Sequence, residues 1–187
     1  MCDIKNMDKM LEVWNDILKK EGFGNIYIVE FISSKNRMLS FKDTDAVVEF
    51  EPLYTTFFDI SNFNKLKRLI CKKLRIIDFQ DYDKLWKKII KRKRLYHGKV
   101  IYKGCFCGWD NSARKGRDSM IVRNNSPEKF GKYLNLLINN NRKDASNDFI
   151  VINAWNEWSE GAMLEPSKEW GFKYLQEIKR VVEENER

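Results

Sequence analysis

One short stretch, NAWNEWSEGAMLEP at residues 153–166, carries side chains whose types could do chemistry together. It holds three glutamates, two asparagines and two tryptophans within fourteen residues, directly after the apolar run at residues 149–152. Carboxyl groups can act as acid, base or nucleophile at a glycosidic bond. Indole faces can stack on sugar rings, and amides can bind hydroxyl groups. We therefore expect catalytic or sugar-binding roles for Asn153, Trp155, Asn156, Glu157, Trp158, Glu160 and Glu165.

The spacing of Glu157 and Glu160 suggests how two carboxyl groups could divide the work. Three residues apart, they would lie on one face if the segment forms a helical turn. Close like charges raise the pKa of one group, which can then remain protonated and act as an acid. A structural interpretation competes with this one, because the indoles of Trp155 and Trp158 could pack in a core and Glu165 could mark the end of a loop or helix.

Apolar patterning elsewhere in the chain predicts the elements that would position this stretch. Runs of β-branched and aromatic residues indicate strands, and apolar residues that recur every three or four positions indicate helices. Strands are predicted at residues 25–32, 46–50, 100–106 and 148–154, and helices at residues 7–18, 64–75, 81–94, 126–140 and 170–184. The alternation of strands with helices predicts an α/β fold with a parallel sheet, in a single domain that spans residues 1–187.

Polar residues follow three of the predicted strands directly. The second strand ends with Glu49 and Glu51, and the third is followed by Trp109, Asp110, Asn111 and Arg114. The fourth strand leads into the 153–166 stretch. Because the carboxyl ends of parallel strands meet at one edge of a sheet, we expect these side chains to converge as a substrate-binding and catalytic site. The alternative is that strand ends are simply where polar residues resume.

The charge of the chain is unevenly distributed. The net charge is +8, but residues 65–103 contain fifteen lysines and arginines and three acids, so this segment is +12 and the remainder is −4. A basic surface could bind nucleic acid, yet no recognised nucleic-acid-binding motif is present. A lysine-rich, solvated helix face is the simpler interpretation, and nucleic acid is not the expected partner.

The cysteines and the hydropathy bear on compartment and metal content. Four cysteines, with no disulfide-rich pattern and no secretory signal, predict a reduced, cytoplasmic protein without a membrane span. Cys105 and Cys107 have the wrong spacing for a zinc knuckle, and His97 is the sole histidine of the chain. We therefore expect neither a metal nor another cofactor.

Three motifs resemble the WbsX-like glycosyltransferase family. The closing motif matches VINAWNEWSEGAMLEP at residues 151–166 with the following WG and YL at 170–175. A second motif matches GWDNSAR at residues 108–114, and a third matches VVEFEP at residues 47–52. The motifs occur in the family's order, SPEKF at residues 126–130 fits the helix that follows the second, and the resemblance covers about residues 25–180.

The resemblance implies a fold, an activity and roles for two residues. The family is similar in turn to the endo-α-mannosidase family of glycoside hydrolases, whose fold is a (β/α)₈ barrel. By that similarity Glu157 would be the base that assists attack by the sugar's own 2-hydroxyl group, and Glu160 would be the acid. The implied function is glycosyl transfer in surface polysaccharide synthesis of the O-antigen type, with a carbohydrate partner that is a nucleotide-sugar donor or a glycan.

The chain also departs from the family pattern. It lacks the opening strand with a Tyr-x-Pro-Gln-Phe-His-like motif, and a complete barrel typically needs about 250 residues. We therefore expect a partial (β/α)₈ barrel that comprises about the C-terminal four β/α units, completed by a complementary N-terminal half-barrel chain. Two alternatives remain open: a retaining glycoside hydrolase of the endo-α-mannosidase type, and a non-catalytic half-barrel remnant that binds glycan or a complementary chain.

Overall fold

A computed structural model describes residues 6–33, 39, 44–59, 61–92, 98–142 and 149–186. The elements in chain order are α1 (Met7–Lys20), β1 (Val29–Ile32), β2 (Ala46–Glu49), α2 (Leu53–Phe58), α3 (Asn62–Leu74), β3 (Asp78–Asp81), α4 (Tyr82–Lys91), β4 (Val100–Phe106), α5 (Ser112–Lys115), β5 (Met120–Arg123), α6 (Pro127–Asn141), β6 (Ile150–Asn153), β7 (Asn156–Glu157), β8 (Ala162–Met163) and α7 (Lys173–Glu186). Two short 3₁₀ helices, Gly116–Asp118 and Trp158–Glu160, lie in the loops that follow β4 and β6.

Four parallel strands form the main sheet in the order β1-β2-β4-β6, which is also their order along the chain. Phe31 lies beside Val48 on the neighbouring strand, and Cys105 lies beside Ile152. Because every pair is parallel, all four carboxyl ends lie along one edge of the sheet. The predicted α/β fold with a parallel sheet is confirmed.

The predicted elements differ from the observed ones mainly at their ends. The first strand begins at Val29 instead of residue 25. Ile28 still accepts a hydrogen bond from the Ala46 N–H (3.1 Å), but residues 25–28 are not part of the regular strand. Residues 93–94, predicted as the end of a helix, and residue 148, predicted as the start of the last strand, lie outside the described residues.

Two small sheets were not predicted from the sequence. The strands β3 and β5 pair in parallel, and β7 and β8 form a short antiparallel pair inside the 153–166 stretch. Each of these strands has only two to four residues, and β3 reads Asp-Phe-Gln-Asp. Segments this short carry too little hydrophobic pattern to be distinguished from loops.

The main core lies between the sheet and three helices, α4, α6 and α7. Trp86 of α4 is fully buried, and its ring stacks on Phe106 of β4 and Tyr133 of α6. Tyr174 of α7 packs edge-on against Phe130. Buried aromatic side chains of this size dominate core energetics, so this cluster fixes the helices against β4 and β6, the two strands that lead into the predicted site.

The helix α6 begins where the sequence predicts it. Ser126 caps it by accepting a hydrogen bond from the Lys129 N–H (3.3 Å), and Pro127 occupies the first turn. An N-cap serine satisfies an otherwise unpaired backbone donor, and proline needs no such partner at this position.

The helix α3 has the predicted apolar face, but that face is exposed. Phe63, Leu66, Leu69, Ile70 and Leu74 are all exposed, and Cys71 is the sole buried residue among those described for the helix. The helix α1 likewise has no buried residue. None of the described helices is long and apolar enough to cross a membrane.

Candidate functional site

The loops that follow β4 and β6 meet at the carboxyl edge of the sheet. The Asp110 N–H donates a hydrogen bond to the Glu160 carbonyl oxygen (2.6 Å). Gly161 has a φ of +60°, and a Cβ there would lie 2.9 Å from the Asp110 nitrogen. A Cβ at Gly108 would lie 2.9 Å from the Gly161 carbonyl oxygen. Glycine is therefore required on both sides of this contact, because its absence of a side chain lets the two backbones approach.

Glu160 is paired with Arg114 across this contact. The Arg114 guanidinium contacts the Glu160 carboxylate, whose side chain is 15% exposed, whereas that of Arg114 is 51% exposed. The Asp110 carboxylate accepts a hydrogen bond from the Ser112 N–H (2.9 Å) at the start of α5, the helix that carries Arg114. The pair places a carboxyl group and a guanidinium together beside an open surface.

Glu157 lies in a different local environment from Glu160. It ends β7, opposite the buried Ala162 of β8, and its carboxylate accepts a hydrogen bond from the Ser159 hydroxyl group. Its ψ of 70° is not helical, and the 3₁₀ helix begins only at Trp158. The two glutamates therefore do not share one regular helical turn, and each has its own polar partner.

Two indoles of the stretch face solvent. Trp155 is 53% exposed and Trp158 is 50% exposed, and Asn156 between them is also exposed. The Trp158 indole N–H donates to the Glu165 carboxylate (2.6 Å), which fixes the orientation of the ring. The core-packing interpretation therefore does not hold for these two residues, and their exposed faces are available to stack on a ligand.

Three other candidate residues are buried and support the loops. Trp109 is almost fully buried in the main core. The Asn111 carboxamide accepts a hydrogen bond from the Met120 N–H (2.9 Å), and the Asn153 carboxamide donates to the Glu51 carbonyl oxygen (2.9 Å). These side chains tie the loops after β2, β4 and β6 to the rest of the fold, and in this conformation they do not reach an open surface.

Glu49 and Glu51 are fully buried in an ion-pair cluster. Arg92, at the C-terminal end of α4, contacts the Glu49 carboxylate at 2.9 Å and the Glu51 carboxylate at 2.8 Å. Lys103 of β4 contacts Glu49 at 3.0 Å, and the Thr55 hydroxyl and N–H donate to Glu51 at 2.8 and 3.1 Å. The two carboxylates thus face cations inside the protein instead of a ligand at the edge.

Burial and charge act in opposite directions on this cluster. Burial raises the pKa of Glu51, and the Arg92 cation and the Thr55 donors oppose that rise. Burial also disfavours the Arg92 charge, but the Glu51 and Glu49 carboxylates outweigh it and raise the pKa of Arg92 above its ordinary value. One oxygen of Glu49 has no hydrogen-bond partner among the described residues. The cluster is held together by mutual charge compensation, so removing one member leaves the others uncompensated.

Sequence reasoning missed Arg92, Lys103 and Thr55 as partners of the predicted acids. One signal existed for Lys103: once Val48 pairs with Tyr102, the next positions, Glu49 and Lys103, must be neighbours on one face. No comparable signal marks Arg92, which stands 43 residues from Glu49 in the sequence and in a run of similar basic residues.

The structure therefore brings together some of the predicted residues and not others. Asp110, Arg114 and Glu160 are in contact at the carboxyl edge, and Trp155 and Trp158 lie exposed in the same stretch. In the parts of the chain that the structure describes, no cluster of three or more His, Cys, Asp or Glu side chains could hold a metal ion. The chemistry on offer is that of carboxylates, a guanidinium and aromatic faces.

Comparison with known proteins agrees with this arrangement. The sequence profile of the family described as Glycosyltransferase WbsX matches residues 1–178. The chain belongs to the WbsX glycosyltransferase family. This membership confirms the resemblance seen in the three motifs, two of which form the contact between the β4 and β6 loops.

Curated relatives of this WbsX family member are much longer than the chain. An uncharacterized protein named WxcX, from two strains of Xanthomonas campestris pv. campestris, is 27% identical over 176 residues. That match covers 90% of this chain and 24% of WxcX, so the chain spans about a quarter of the length of these relatives.

A solved structure named glycoside hydrolase-like protein shares the fold. It superposes with a TM-score of 0.51 at 13% sequence identity, and the match covers 95% of this chain and 50% of that protein. At this identity the likeness concerns the fold alone. Nearly the whole WbsX chain thus corresponds to about half of a larger fold.

Proposed function

We propose that the chain is part of a glycan-active enzyme, a glycosyltransferase of surface polysaccharide synthesis of the O-antigen type. One observation carries the proposal most directly: the Glu160 segment is held against Asp110 and paired with Arg114 at the carboxyl edge of a parallel sheet. Ligand sites of α/β folds lie at this edge. Family membership supports a reaction on glycans, and the glycoside hydrolase-like fold supports catalysis of that reaction by a pair of carboxyl groups.

In the proposed mechanism Glu157 and Glu160 act on opposite sides of the reacting sugar carbon. Glu157 takes the proton of the sugar's 2-hydroxyl group, whose oxygen attacks the anomeric carbon while Glu160 gives its proton to the leaving oxygen. In the second step Glu160 removes the proton of an acceptor hydroxyl, which attacks the same carbon, and the proton on Glu157 returns to the 2-oxygen. Trp155 and Trp158 would supply the stacking faces.

The Arg114 contact fits the second of these steps better than the first. A guanidinium stabilises the Glu160 carboxylate, which is the form that accepts a proton from an acceptor hydroxyl. For the first step Arg114 would have to turn toward the substrate, and its 51% exposed side chain leaves it room to do so. Arg114 would then bind a negatively charged or hydroxyl-rich group of the leaving part.

We further propose that the fold is the C-terminal half of a (β/α)₈ barrel that a complementary N-terminal half completes. The four strands are parallel and follow one another in chain order, as in such a barrel. The match to half of a glycoside hydrolase-like protein supports the same view. Among the described residues β1 and β6 are the edges of the main sheet, and they would be the strands that join the other half. We also propose that the protein is cytoplasmic.

Two alternatives have specific support. Hydrolysis by an enzyme of the endo-α-mannosidase type needs only water in place of the acceptor, and the fold likeness is to a glycoside hydrolase-like protein. A non-catalytic, glycan-binding remnant is favoured by the buried positions of Glu49 and Glu51, which leave the site with few polar groups from β2.

The experiment that separates these functions follows the fate of a sugar. The purified chain, alone and together with a complementary N-terminal half-barrel chain, is incubated with nucleotide sugars and acceptor glycans, and separately with unactivated and aryl glycosides. Products are identified by mass spectrometry. A new glycosidic bond indicates transfer, a free sugar indicates hydrolysis, and binding without product indicates the remnant.

Two substitutions test the proposed roles. Glu160→Gln should lower turnover of an unactivated glycoside by about 10²–10⁴-fold, and that of an aryl glycoside much less, because a good leaving group needs no acid. Glu157→Gln should impair both substrates, whereas Glu183→Gln on the exposed face of α7 serves as the control. Absence of binding and of turnover with every substrate, or equal small losses for both variants, would contradict the proposal.

A further inference from the structure

The helix α3 is attached to the protein by its polar side. The Lys67 ammonium donates to the Phe79 carbonyl oxygen (2.9 Å) and pairs with Asp78 (3.4 Å). Arg68 pairs with the same carboxylate (3.3 Å) and also donates to the Thr56 carbonyl oxygen. An amphipathic helix on a soluble protein normally packs through its apolar side, so α3 has the reverse orientation.

The apolar side of α3 consequently faces solvent. Phe63, Leu66, Ile70 and Leu74 recur at intervals of three or four residues and form one stripe, with Leu69 beside it. Phe63 is 76% exposed and Leu66 is 56% exposed. By helical geometry this stripe lies on the side away from Arg68, and Lys67 lies at its edge. A contiguous exposed apolar patch of this kind marks a binding surface.

The charge around the stripe indicates what binds there. The helix contains five basic residues and no acidic residue, and Lys65, Lys72 and Lys73 remain exposed beside the apolar side chains. An apolar stripe flanked by lysines is the pattern of a helix that lies in the interface of an anionic lipid bilayer. We propose that α3 binds an anionic membrane surface, with the stripe among the acyl chains and the lysines at the phosphate groups.

The helix α1 differs from α3 in charge, and this difference favours an anionic membrane as the partner of α3. It too exposes apolar side chains, among them Val13 and Ile17, but it contains three basic and three acidic residues. A missing protein neighbour could cover either helix, whereas an anionic surface favours α3 alone. A nucleic acid would use the lysines of α3 but would have no need of the leucines, because affinity for its backbone comes from the cations.

The test is vesicle flotation with the full chain and two matched pairs of variants. The vesicles contain equal parts of phosphatidylglycerol and phosphatidylcholine, or phosphatidylcholine alone. The apolar pair is Leu66→Gln with Leu69→Gln on α3, against Val13→Gln with Ile17→Gln on α1. The charge pair is Lys72→Gln with Lys73→Gln, against Lys19→Gln with Lys20→Gln, which occupy the same last turn of their helix. Circular dichroism melts establish that each variant remains folded.

We expect the wild-type chain to float with the anionic vesicles and much less with phosphatidylcholine alone. Each α3 double variant should lower the partition coefficient by about tenfold or more, and neither α1 variant should. The proposal is overturned if the wild-type chain does not float, or if the lysine variant loses binding and the leucine variant does not, which would indicate a general polyanion. Light scattering gives the last outcome: if the leucine variant abolishes self-association and leaves flotation unchanged, the stripe is an interface between copies of the chain.

Discussion

Replacing Arg92 should destabilise the fold more than any loss of a surface cation. Arg92 is the cation within contact distance of both Glu49 and Glu51, at 2.9 and 2.8 Å, and its side chain is almost fully buried. In Arg92→Met the aliphatic part of the side chain is largely retained, and the charge is lost. Glu49 keeps Lys103 at 3.0 Å, whereas Glu51 keeps, among the described residues, two hydrogen bonds from Thr55.

The magnitude follows from leaving a buried carboxylate without its counter-ion. Breaking a buried ion pair by removing one partner costs about 3–5 kcal/mol. Domains are stable by only about 5–15 kcal/mol, so the variant should lose a large part of its free energy of unfolding. For a chain of this size the same loss lowers the melting temperature by roughly 6–20 °C.

The assay is equilibrium unfolding in urea, followed by circular dichroism, with three variants. Arg92→Met should show an unchanged m-value and a lower midpoint. Lys91→Met, at the exposed neighbouring position, is the control and should change stability by less than about 0.5 kcal/mol. Arg92→Met combined with Glu51→Gln removes the orphaned charge and should recover at least about 1 kcal/mol. A loss below about 1 kcal/mol for Arg92→Met, or a double variant no more stable than the single one, would refute the reasoning.

Three further outcomes are expected. Gly161→Ala should lower the free energy of unfolding by about 2–3 kcal/mol in urea titrations, because it adds a contact with Asp110 to the strain of a positive φ; Gly171→Ala, with a φ of +54° and open space around it, should cost only about 1 kcal/mol. Hydrogen bonds from Lys129 and Tyr133 lower the pKa of Asp83, so the ionised Asp83 stabilises the fold above about pH 4, and this stabilisation is lost as the pH falls through the pKa of Asp83 in the folded protein. Asp83→Asn should therefore flatten the acid side of a stability–pH curve, and an unchanged slope would contradict this. Burial raises the pKa of Cys107 to about 11, so iodoacetamide at pH 7.5 should modify this thiol only after unfolding, as read by mass spectrometry of the peptide.

The parallel sheet and the meeting of the loops after β4 and β6 could be predicted from the pattern of strands and helices along the chain. Strand β4 appears as a run of β-branched and aromatic residues interrupted by Lys103 and Gly104, and Ser126 with Pro127 marks a helix start that needs no tertiary information. The meeting of the Asp110 and Glu160 loops follows from parallel pairing alone. Once β4 and β6 are neighbours, the residues after them must lie close together.

The direction in which a polar side chain points could not be predicted in the same way. Glu49 and Glu51 stand at a strand end, as Glu157 and Glu160 do, and the sequence gives no sign that the first pair turns inward. What turns it inward is a cation that another element supplies. Arg92 is 43 residues away and Lys103 is 54 residues away, so only the folded arrangement of α4 and β4 decides the burial.

The basic segment at residues 65–103 makes the same point about composition. Its excess of +12 suggests one cationic surface, but several of its described cations have three different tasks. Arg92 and Lys103 neutralise buried glutamates, and Lys67 and Arg68 fasten α3 to the body. The lysines that remain exposed on α3 are those that flank its apolar stripe. A charge count cannot separate these uses, since each is defined by the partner that faces the cation. Removing the interior cations should therefore affect stability and leave lipid binding intact, whereas removing the lysines beside the stripe should do the opposite.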